Sequence, residues 1–359
     1  MLIPVTKPFL PPKEDVYNLL DGVWQRQWLT NNGPLVNQLE EKLKDYLEVP
    51  NMLYLNNGTI ALQIAIKALD LTGEIITTPF SYVATTSSIV WEGCKPVFVD
   101  IDAETFNIDP TKIEASITDK TTAILATHVF GNPCDIDAID VIAKRHNLKV
   151  IYDAAHCFGS KYKGKSVFAY GDISTTSFHA TKLFHTVEGG AVFCNSKELN
   201  EKMVFMRNFG HNGPSDFATV GINGKNSEFH AAMGLANFPY INSILDSRKE
   251  QSLYYDEKLK GVDLNKIKIE ANSNFNYAYY PLVFKDEETL LDIIRLMNSE
   301  GISPRRYFYP SLNKLSYIEK QEAPFSDNVS KTILCLPLYF DLKKSQIDSI
   351  CKVILRTKR

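Results

Sequence analysis

The sequence predicts an α/β fold in which helices cover both faces of a mainly parallel sheet. Short apolar segments typical of buried strands alternate with helical segments from Met52 to residue 195. Such alternation is typical of parallel strands joined by helical crossovers. The pattern changes at Tyr240, and 359 residues suffice for two domains. We therefore predict a large domain over residues 1–240 and a small α+β domain over residues 241–359.

The large domain is expected to open with an extended arm, because its first dozen residues contain four prolines. A glycine-rich, polar loop is predicted over residues 211–225. The predicted strands are residues 52–55, 75–78, 96–100, 122–127, 149–153 and one that starts at 172. The predicted helices are 13–28, 36–47, 60–69, one up to 91, one up to 146, one that closes over 203–209, and 228–238.

The small domain is expected to follow a long polar helix that runs from residue 240 to about residue 259. Period-two alternation and short apolar runs indicate strands, and apolar residues at helical spacing indicate helices. The predicted strands are residues 277–284, 303–309 and 333–339, and the predicted helices are 287–297 and 343–354.

Two charged residues follow apolar strands of the large domain. Asp153 ends one strand, at the edge where α/β sheets bind ligands. Lys182 follows the next strand. If it is buried, its pKa is lowered and its amine becomes nucleophilic. The alternative is that Lys182 reaches solvent from a loop. Pyridoxal phosphate requires a lysine for its aldehyde and a carboxylate for its ring nitrogen. The pair therefore points to a pyridoxal phosphate site.

The bulk composition excludes several classes of function. The net charge of −3 gives no basic surface for nucleic acid or a membrane, and no segment approaches the ~20 apolar residues of a membrane span. Six scattered cysteines without a C-x-x-C spacing are typical of reduced thiols in a cytoplasmic protein. The histidines do not cluster with them, so no metal site is predicted.

Six motifs in order resemble the DegT/DnrJ/EryC1/StrS sugar aminotransferases. The resemblance covers almost the whole chain and implies fold type I of the pyridoxal phosphate enzymes, with a mainly parallel, seven-stranded sheet in the large domain. The motifs are Asn57-Gly58-Thr59, Thr78-Pro79-Phe80-Ser81-Tyr82-Val83-Ala84-Thr85, Asp153-Ala154-Ala155-His156, Ser177-Phe178-His179-Ala180-Thr181-Lys182, Glu188-Gly189-Gly190 and Gly221-Ile222-Asn223.

The same resemblance implies a role for each residue of the cofactor site. Lys182 would hold the cofactor and move the reacting proton, and Asp153 would keep the ring nitrogen protonated. Tyr82 would stack on the pyridine ring of the cofactor, and core packing is the alternative role for this side chain. The other implied contacts are Gly58, Thr59 and Ser177 with the phosphate, His156 with the ring's phenolic oxygen, and Asn223 with the phosphate of the partner in a homodimer with shared active sites.

The implied substrates are L-glutamate and a nucleotide-linked keto sugar, dTDP-4-keto-6-deoxyglucose. A basic and aromatic cluster of Arg305, Arg306, Tyr307 and Tyr309 could bind a diphosphate or the amino donor, or could protect an exposed strand edge. His179 could orient substrate or water, and His185 could shape the sugar site. His128 and Glu228 are expected to be structural. A 3-keto sugar aminotransferase and a non-catalytic sensor of the same fold remain alternatives.

Overall fold

The computed structural model describes residues 2–262 and 264–356. The strands are β1 (Ile3–Pro4), β2 (Asn51–Leu55), β3 (Glu74–Thr77), β4 (Lys95–Phe98), β5 (Thr121–Thr127), β6 (Lys149–Asp153), β7 (Lys161–Tyr162), β8 (Lys165–Ser166), β9 (Ile173–Ser177), β10 (Gly190–Cys194), β11 (Ser273–Asn274), β12 (Tyr280–Val283), β13 (Ile302–Ser303) and β14 (Ile333–Leu336). The helices are α1 (Lys13–Arg26), α2 (Pro34–Tyr46), α3 (Gly58–Ala68), α4 (Val83–Trp91), α5 (Ile136–His146), α6 (Lys197–Arg207), α7 (Glu228–Asn237), α8 (Ile241–Lys258), α9 (Glu287–Ser299), α10 (Pro324–Thr332) and α11 (Lys344–Arg356).

The main sheet has the predicted α/β form. Within the described ranges, seven strands pair in the order β2-β10-β9-β6-β5-β3-β4, and only β10 runs antiparallel to its neighbours. Successive residues of a strand point to opposite faces. Thus Ile75 packs into one apolar cluster and Ile76 into the other. Helices cover both faces, and the expected mainly parallel, seven-stranded sheet is confirmed.

Glu228 fixes the start of α2 from the first residue of α7. Its buried carboxylate accepts hydrogen bonds from the backbone N–H groups of Leu35, at 3.0 Å, and Val36, at 2.9 Å. The guanidinium of Arg26 lies 3.8 Å from the same carboxylate. A carboxylate at a helix N-terminus satisfies N–H groups that have no acceptor inside the helix. The structural role predicted for Glu228 is confirmed.

A second apolar cluster lies in the C-terminal part of the chain. It contains Tyr280 and Leu282 from β12, Leu334 from β14, and buried residues of α9 and α11. Strands β12 and β14 pair in antiparallel, so the predicted mixture of strands and helices is present. The division of the chain at residue 240 stays a prediction, and Ile3 of the N-terminal arm also belongs to this cluster.

The N-terminal arm crosses from this cluster to the main sheet. Its strand β1 pairs in parallel with β13. Further along, the Thr6 hydroxyl donates a hydrogen bond to the carbonyl oxygen of Thr181, at 3.3 Å. The carbonyl oxygen of Phe9 accepts one from Nε2 of His185, at 2.7 Å. The arm therefore ties the C-terminal cluster to the turn that carries Lys182.

One strand prediction for the C-terminal part is wrong, and one helix was not predicted. The strand expected over residues 303–309 ends at Ser303, and only Arg305 continues it, with a bridge to Cys335. Pro304 cannot donate a ladder hydrogen bond, and such residues interrupt strands. Helix α10 was not predicted; it is short and polar, with Pro324 at its first position.

Candidate active site

Three parallel strands end at one cavity of about 340 Å³. Thr127, Asp153 and Ser177 are the last residues of β5, β6 and β9, and all three line this cavity. The carboxyl edge of a parallel sheet is the usual ligand site of such folds. The side chains of Lys182 and Tyr82 reach the same cavity. The structure thus brings together residues that are far apart in the sequence.

Asp153 is a buried carboxylate with a hydrogen-bond donor on each oxygen. The Thr85 hydroxyl donates to Oδ2 at 2.7 Å, and the backbone N–H of Ala155 donates to Oδ1 at 3.2 Å. Burial raises the pKa of Asp153, while these two hydrogen bonds and the positive charge of Lys182 oppose the rise. Asp153 therefore keeps acceptor capacity that the protein leaves free toward the cavity.

Lys182 lies in the turn between β9 and β10, five residues beyond the end of β9 rather than at the strand end. The turn is held by hydrogen bonds from Phe178 N–H to Gly189 O and from Ala180 N–H to Val187 O, each 2.7 Å long. Burial lowers the pKa of Lys182 to about 8, although the charge of Asp153 opposes the shift. About a tenth of the amine is therefore unprotonated at pH 7, several hundredfold more than for a lysine with the ordinary pKa of 10.5.

The start of α3 forms one end of the cavity. The side chain of Asn57 caps this helix by accepting a hydrogen bond from the N–H of Ile60 at 2.8 Å. The N–H groups of Gly58 and Thr59, the first two residues of the helix, have no acceptor within it. A side chain at Gly58 would place its Cβ 3.0 Å from Cβ of Ser177, tighter than most real contacts. The glycine therefore keeps this end open for an anionic group.

His156 lies at the cavity wall as a neutral ring. Its Nδ1 accepts a hydrogen bond from the N–H of Phe130 at 3.2 Å, so the remaining proton is on Nε2. Burial holds the pKa of His156 well below its usual range, and the charge of Lys182 acts in the same direction. The ring of Phe308 stacks on it with centroids 5.7 Å apart. Nε2 is therefore the donor available for a ligand.

Tyr82 stands at the other side of the cavity, directly before α4. Its side chain is 57% exposed, in contrast to the buried Phe80 two residues earlier. An aromatic ring that is exposed at a cavity can stack on a planar ligand.

The four residues predicted to meet substrate differ in position. His179 and Arg305 line the cavity, whereas His185 and Tyr309 do not. His185 is buried and bonded through Nε2 to the N-terminal arm. Tyr309 is half exposed, and the guanidinium carbon of Arg306 lies 3.5 Å from its ring centroid.

Asn223 lies outside the cavity of its own chain. It is exposed in the segment between α6 and α7, where its carbonyl oxygen accepts a hydrogen bond from the Asn56 side chain at 3.1 Å. His128 is buried, and its Nδ1 accepts from the N–H of Cys134 at 3.0 Å, so the structural role expected for His128 is supported.

Sequence reasoning missed several residues of the site. Tyr279 and Phe308 reach the cavity from the C-terminal part of the chain, beside Tyr307 of the predicted basic and aromatic cluster. Ser81 and Thr85 sit in a motif noted for its tyrosine, and because Ser81 lies before the start of α4, no helical spacing indicated that they meet.

No group of histidine, cysteine and acidic residues suited to a metal ion occurs among residues 2–262 and 264–356. No helix in those ranges is both long and apolar enough to cross a membrane.

Residues 12–355 match the DegT/DnrJ/EryC1/StrS aminotransferase family. A dTDP-4-amino-4,6-dideoxy-D-glucose transaminase from Shigella dysenteriae is 42% identical over 361 residues, which cover 99% of this chain and 98% of that protein. The solved structure of DesI in the presence of its TDP-sugar product has a TM-score of 0.94 at 30% identity, over 100% of this chain and 93% of that one. The PLP-form of a putative sugar aminotransferase, Spr1654 from Streptococcus pneumoniae, has a TM-score of 0.92 at 25% identity, over 99% of this chain and 98% of that one.

Proposed function

The chain belongs to the DegT/DnrJ/EryC1/StrS aminotransferase family and is a sugar aminotransferase, and we propose that it transfers an amino group from L-glutamate to dTDP-4-keto-6-deoxyglucose with pyridoxal phosphate as its cofactor. The transaminase from Shigella dysenteriae supports the choice of sugar. The solved structure of Spr1654 in its PLP-form and the polar residues that line the cavity support the choice of cofactor.

The observation that carries this proposal is the placement of Asp153 and Lys182 at one cavity. When bound, pyridoxal phosphate carries the amino group and withdraws electrons from the reacting carbon. The free oxygen capacity of Asp153 suits the protonated ring nitrogen. The lowered pKa of Lys182 suits an amine that accepts the proton from the substrate carbon and returns it.

The rest of the cofactor site follows from the donors that the protein leaves free. Gly58, Thr59 and Ser177 suit the phosphate, because they combine helix N–H groups with a hydroxyl. Nε2 of His156 suits the phenolic oxygen of the ring. Tyr82 would cover the ring face, since its side chain is exposed there.

We assign the substrate end of the cavity to Arg305 and His179. The Arg306 guanidinium bonds Glu287 at 2.7 Å, whereas Arg305, among the described residues, has no carboxylate partner and lies over the ring of Tyr307. Arg305 is therefore free for a carboxylate or diphosphate. Nδ1 of His179 accepts from the N–H of Thr181 at 3.2 Å, and its Nε2 lies 3.5 Å from Oε1 of Glu188. Glu188 also lines the cavity, so the two side chains would meet a sugar hydroxyl together.

We further propose a homodimer whose sites are shared through Asn223. This residue is exposed and lies away from its own cavity, as expected of a side chain that serves the partner. Exposed aromatic residues on α1 and α7, including Trp24 and Phe229, suit a surface that is covered by a second copy. The buried cysteines, all with free thiols, agree with a reducing compartment such as the cytoplasm.

The experiment that tests the function is a substrate panel. The purified protein with pyridoxal phosphate and L-glutamate is incubated with dTDP- and UDP-linked 4-keto and 3-keto sugars, and the products are identified by mass spectrometry and NMR. We expect the 4-amino product of the dTDP sugar together with 2-oxoglutarate.

Lys182→Ala serves as the inactive control for this panel. Conversion of a 3-keto sugar instead would replace the proposed substrate. If no keto sugar gives 2-oxoglutarate, and glutamate does not change the absorbance of the bound cofactor, the protein is a non-catalytic sensor instead.

Complementation tests the shared site. Lys182→Ala and Asn223→Ala chains are mixed and refolded, and mixed dimers are verified by mass. One site then carries both lesions and the other carries neither, so activity should exceed the average of the two parents. Verified mixed dimers without this gain would contradict the shared-site proposal.

A further inference from the structure

Three buried hydroxyl groups form a continuous hydrogen-bonded chain that ends at Asp153. Thr127 Oγ1 lies 3.1 Å from Ser81 Oγ, and Ser81 Oγ lies 2.7 Å from Thr85 Oγ1. Thr85 Oγ1 in turn lies 2.7 Å from Asp153 Oδ2. All four side chains are buried. The hydroxyls come from the end of β5, from the segment before α4 and from α4 itself, so tertiary folding alone assembles the chain.

The direction of these hydrogen bonds follows from the charge at the end of the chain. An ionised carboxylate can only accept, so the Thr85 hydroxyl must donate its single proton to Asp153. Ser81 then has to donate to Thr85, and Thr127 has to donate to Ser81. All three protons point toward the carboxylate, and hydrogen bonds aligned in one direction strengthen one another.

This alignment opposes the effect of burial on Asp153. Removal from water raises the pKa of the carboxyl, and the hydrogen bond from Thr85 is the first of the interactions that lower it. The same bond fixes Oδ2, while the Ala155 N–H holds Oδ1, so the plane of the carboxylate is set. Thr85 lies behind the cavity wall, which Ser81 and Thr127 help to form.

We propose that Thr85, Ser81 and Thr127 are positioning residues that keep Asp153 ionised and aimed at the ring nitrogen of the cofactor. Thr85 acts directly on Asp153, and Ser81 and Thr127 act through Thr85. The inference rests on the proposed function, because it needs pyridoxal phosphate in the cavity. Core packing alone would require the shape of these side chains but not their protons.

The test replaces hydroxyls while it preserves shape. Thr85→Val, Ser81→Ala and Thr127→Val are compared with Thr86→Val as the matched control, because Thr86 is buried on the same helix and its hydroxyl has no partner among the described residues. Cofactor affinity, the pH midpoint of the bound cofactor's visible absorbance and the melting temperature of the apoprotein are measured for each.

The expected effects are graded along the chain. Thr85→Val should weaken cofactor binding by about tenfold and raise the absorbance midpoint by about one pH unit, because a less firmly protonated ring repels the second proton of the chromophore less. Ser81→Ala and Thr127→Val should give smaller shifts in the same direction. Thr85→Ser should restore both quantities, and Thr86→Val should change neither.

Several outcomes would overturn the inference. Unshifted spectra and affinity in Thr85→Val would do so, as would equal shifts in Thr86→Val. If Thr85→Val does not fold, Ser81→Ala and Thr127→Val decide, and unchanged spectra in both would reject the proposal. If the wild-type protein binds no pyridoxal phosphate, both the proposed function and this inference are wrong. If the wild-type protein binds it normally and the variants match the wild type in affinity and spectra, only this inference is wrong.

Discussion

Two buried carboxylates in this chain have opposite surroundings. Glu228 accepts two backbone hydrogen bonds at the start of α2 and lies close to Arg26, so groups of the protein itself satisfy its charge. Asp153 has no arginine within its hydrogen-bonding shell among the described residues, and its remaining acceptor capacity faces a cavity. A buried charge that the fold satisfies stabilises the structure, and one that the fold leaves partly unsatisfied is available to a ligand.

The largest effect on the cavity side is expected from Lys182→Ala. Turnover should fall by about 10⁴-fold or more, because the variant loses both the nucleophile and the proton carrier. The fold should be retained, since the turn that carries Lys182 is held by backbone hydrogen bonds. Steady-state rates and circular dichroism check both parts. Near-normal turnover would refute the assignment of Lys182.

Asp153→Asn should reduce transamination by about a hundredfold or more while the cofactor still binds. The amide keeps the shape of the side chain but cannot hold the ring nitrogen protonated. Single-turnover kinetics and equilibrium cofactor binding separate the two effects. A tenfold loss of rate corresponds to roughly 1.4 kcal/mol of activation free energy. If the variant retains more than about a tenth of the wild-type rate, Asp153 has a structural role like that of Glu228.

Glu228→Ala should lower the stability of the fold and leave turnover unchanged, which is the reverse of the effect expected for Asp153→Asn. We expect a loss of about 3 kcal/mol in the free energy of unfolding, because two buried hydrogen bonds to a charged group are removed. Chemical denaturation measures this loss. Glu228→Gln is the milder control, since it keeps one acceptor oxygen. If kcat falls at a temperature where the variant is fully folded, the contrast between the two carboxylates fails.

The smallest expected effect is a pH dependence of the apoprotein. The pKa of Lys182 is about 8 in the folded chain against 10.5 ordinarily, so the unfolded chain binds more protons between these values. Stability must therefore rise with pH across this window. Lys182→Met lacks this contribution, so its stability relative to the wild type should be greatest below pH 8 and decline toward pH 10.5. A constant difference in melting temperature would contradict the lowered pKa.

Local patterns in the sequence predicted six of the seven strands of the sheet and the chemical pair, whereas β10 was not predicted and the count of seven came from the family resemblance. Asp153 follows a short apolar run, and a lysine after the next strand is visible in the same way. The hydroxyl contact between Thr85 and Asp153 joins residues 68 positions apart, and no local pattern specifies it. Tertiary structure also separated two residues of one predicted cluster: Arg305 lines the cavity, whereas Tyr309 lies outside it.

The N-terminal arm has a consequence for the order in which the protein matures during synthesis. The arm leaves the ribosome long before β13, and β1 can pair only after β13 has been translated. At ordinary elongation rates this delay is on the order of tens of seconds. Until β13 is available the arm lacks its strand partner, so its hydrogen bonds to Thr181 and His185 are expected to become persistent only near the end of translation. Ribosome-stalled chains that stop before residue 302 should accordingly be cleaved by protease within residues 2–12, whereas chains long enough for β13 to have emerged from the exit tunnel should be protected there.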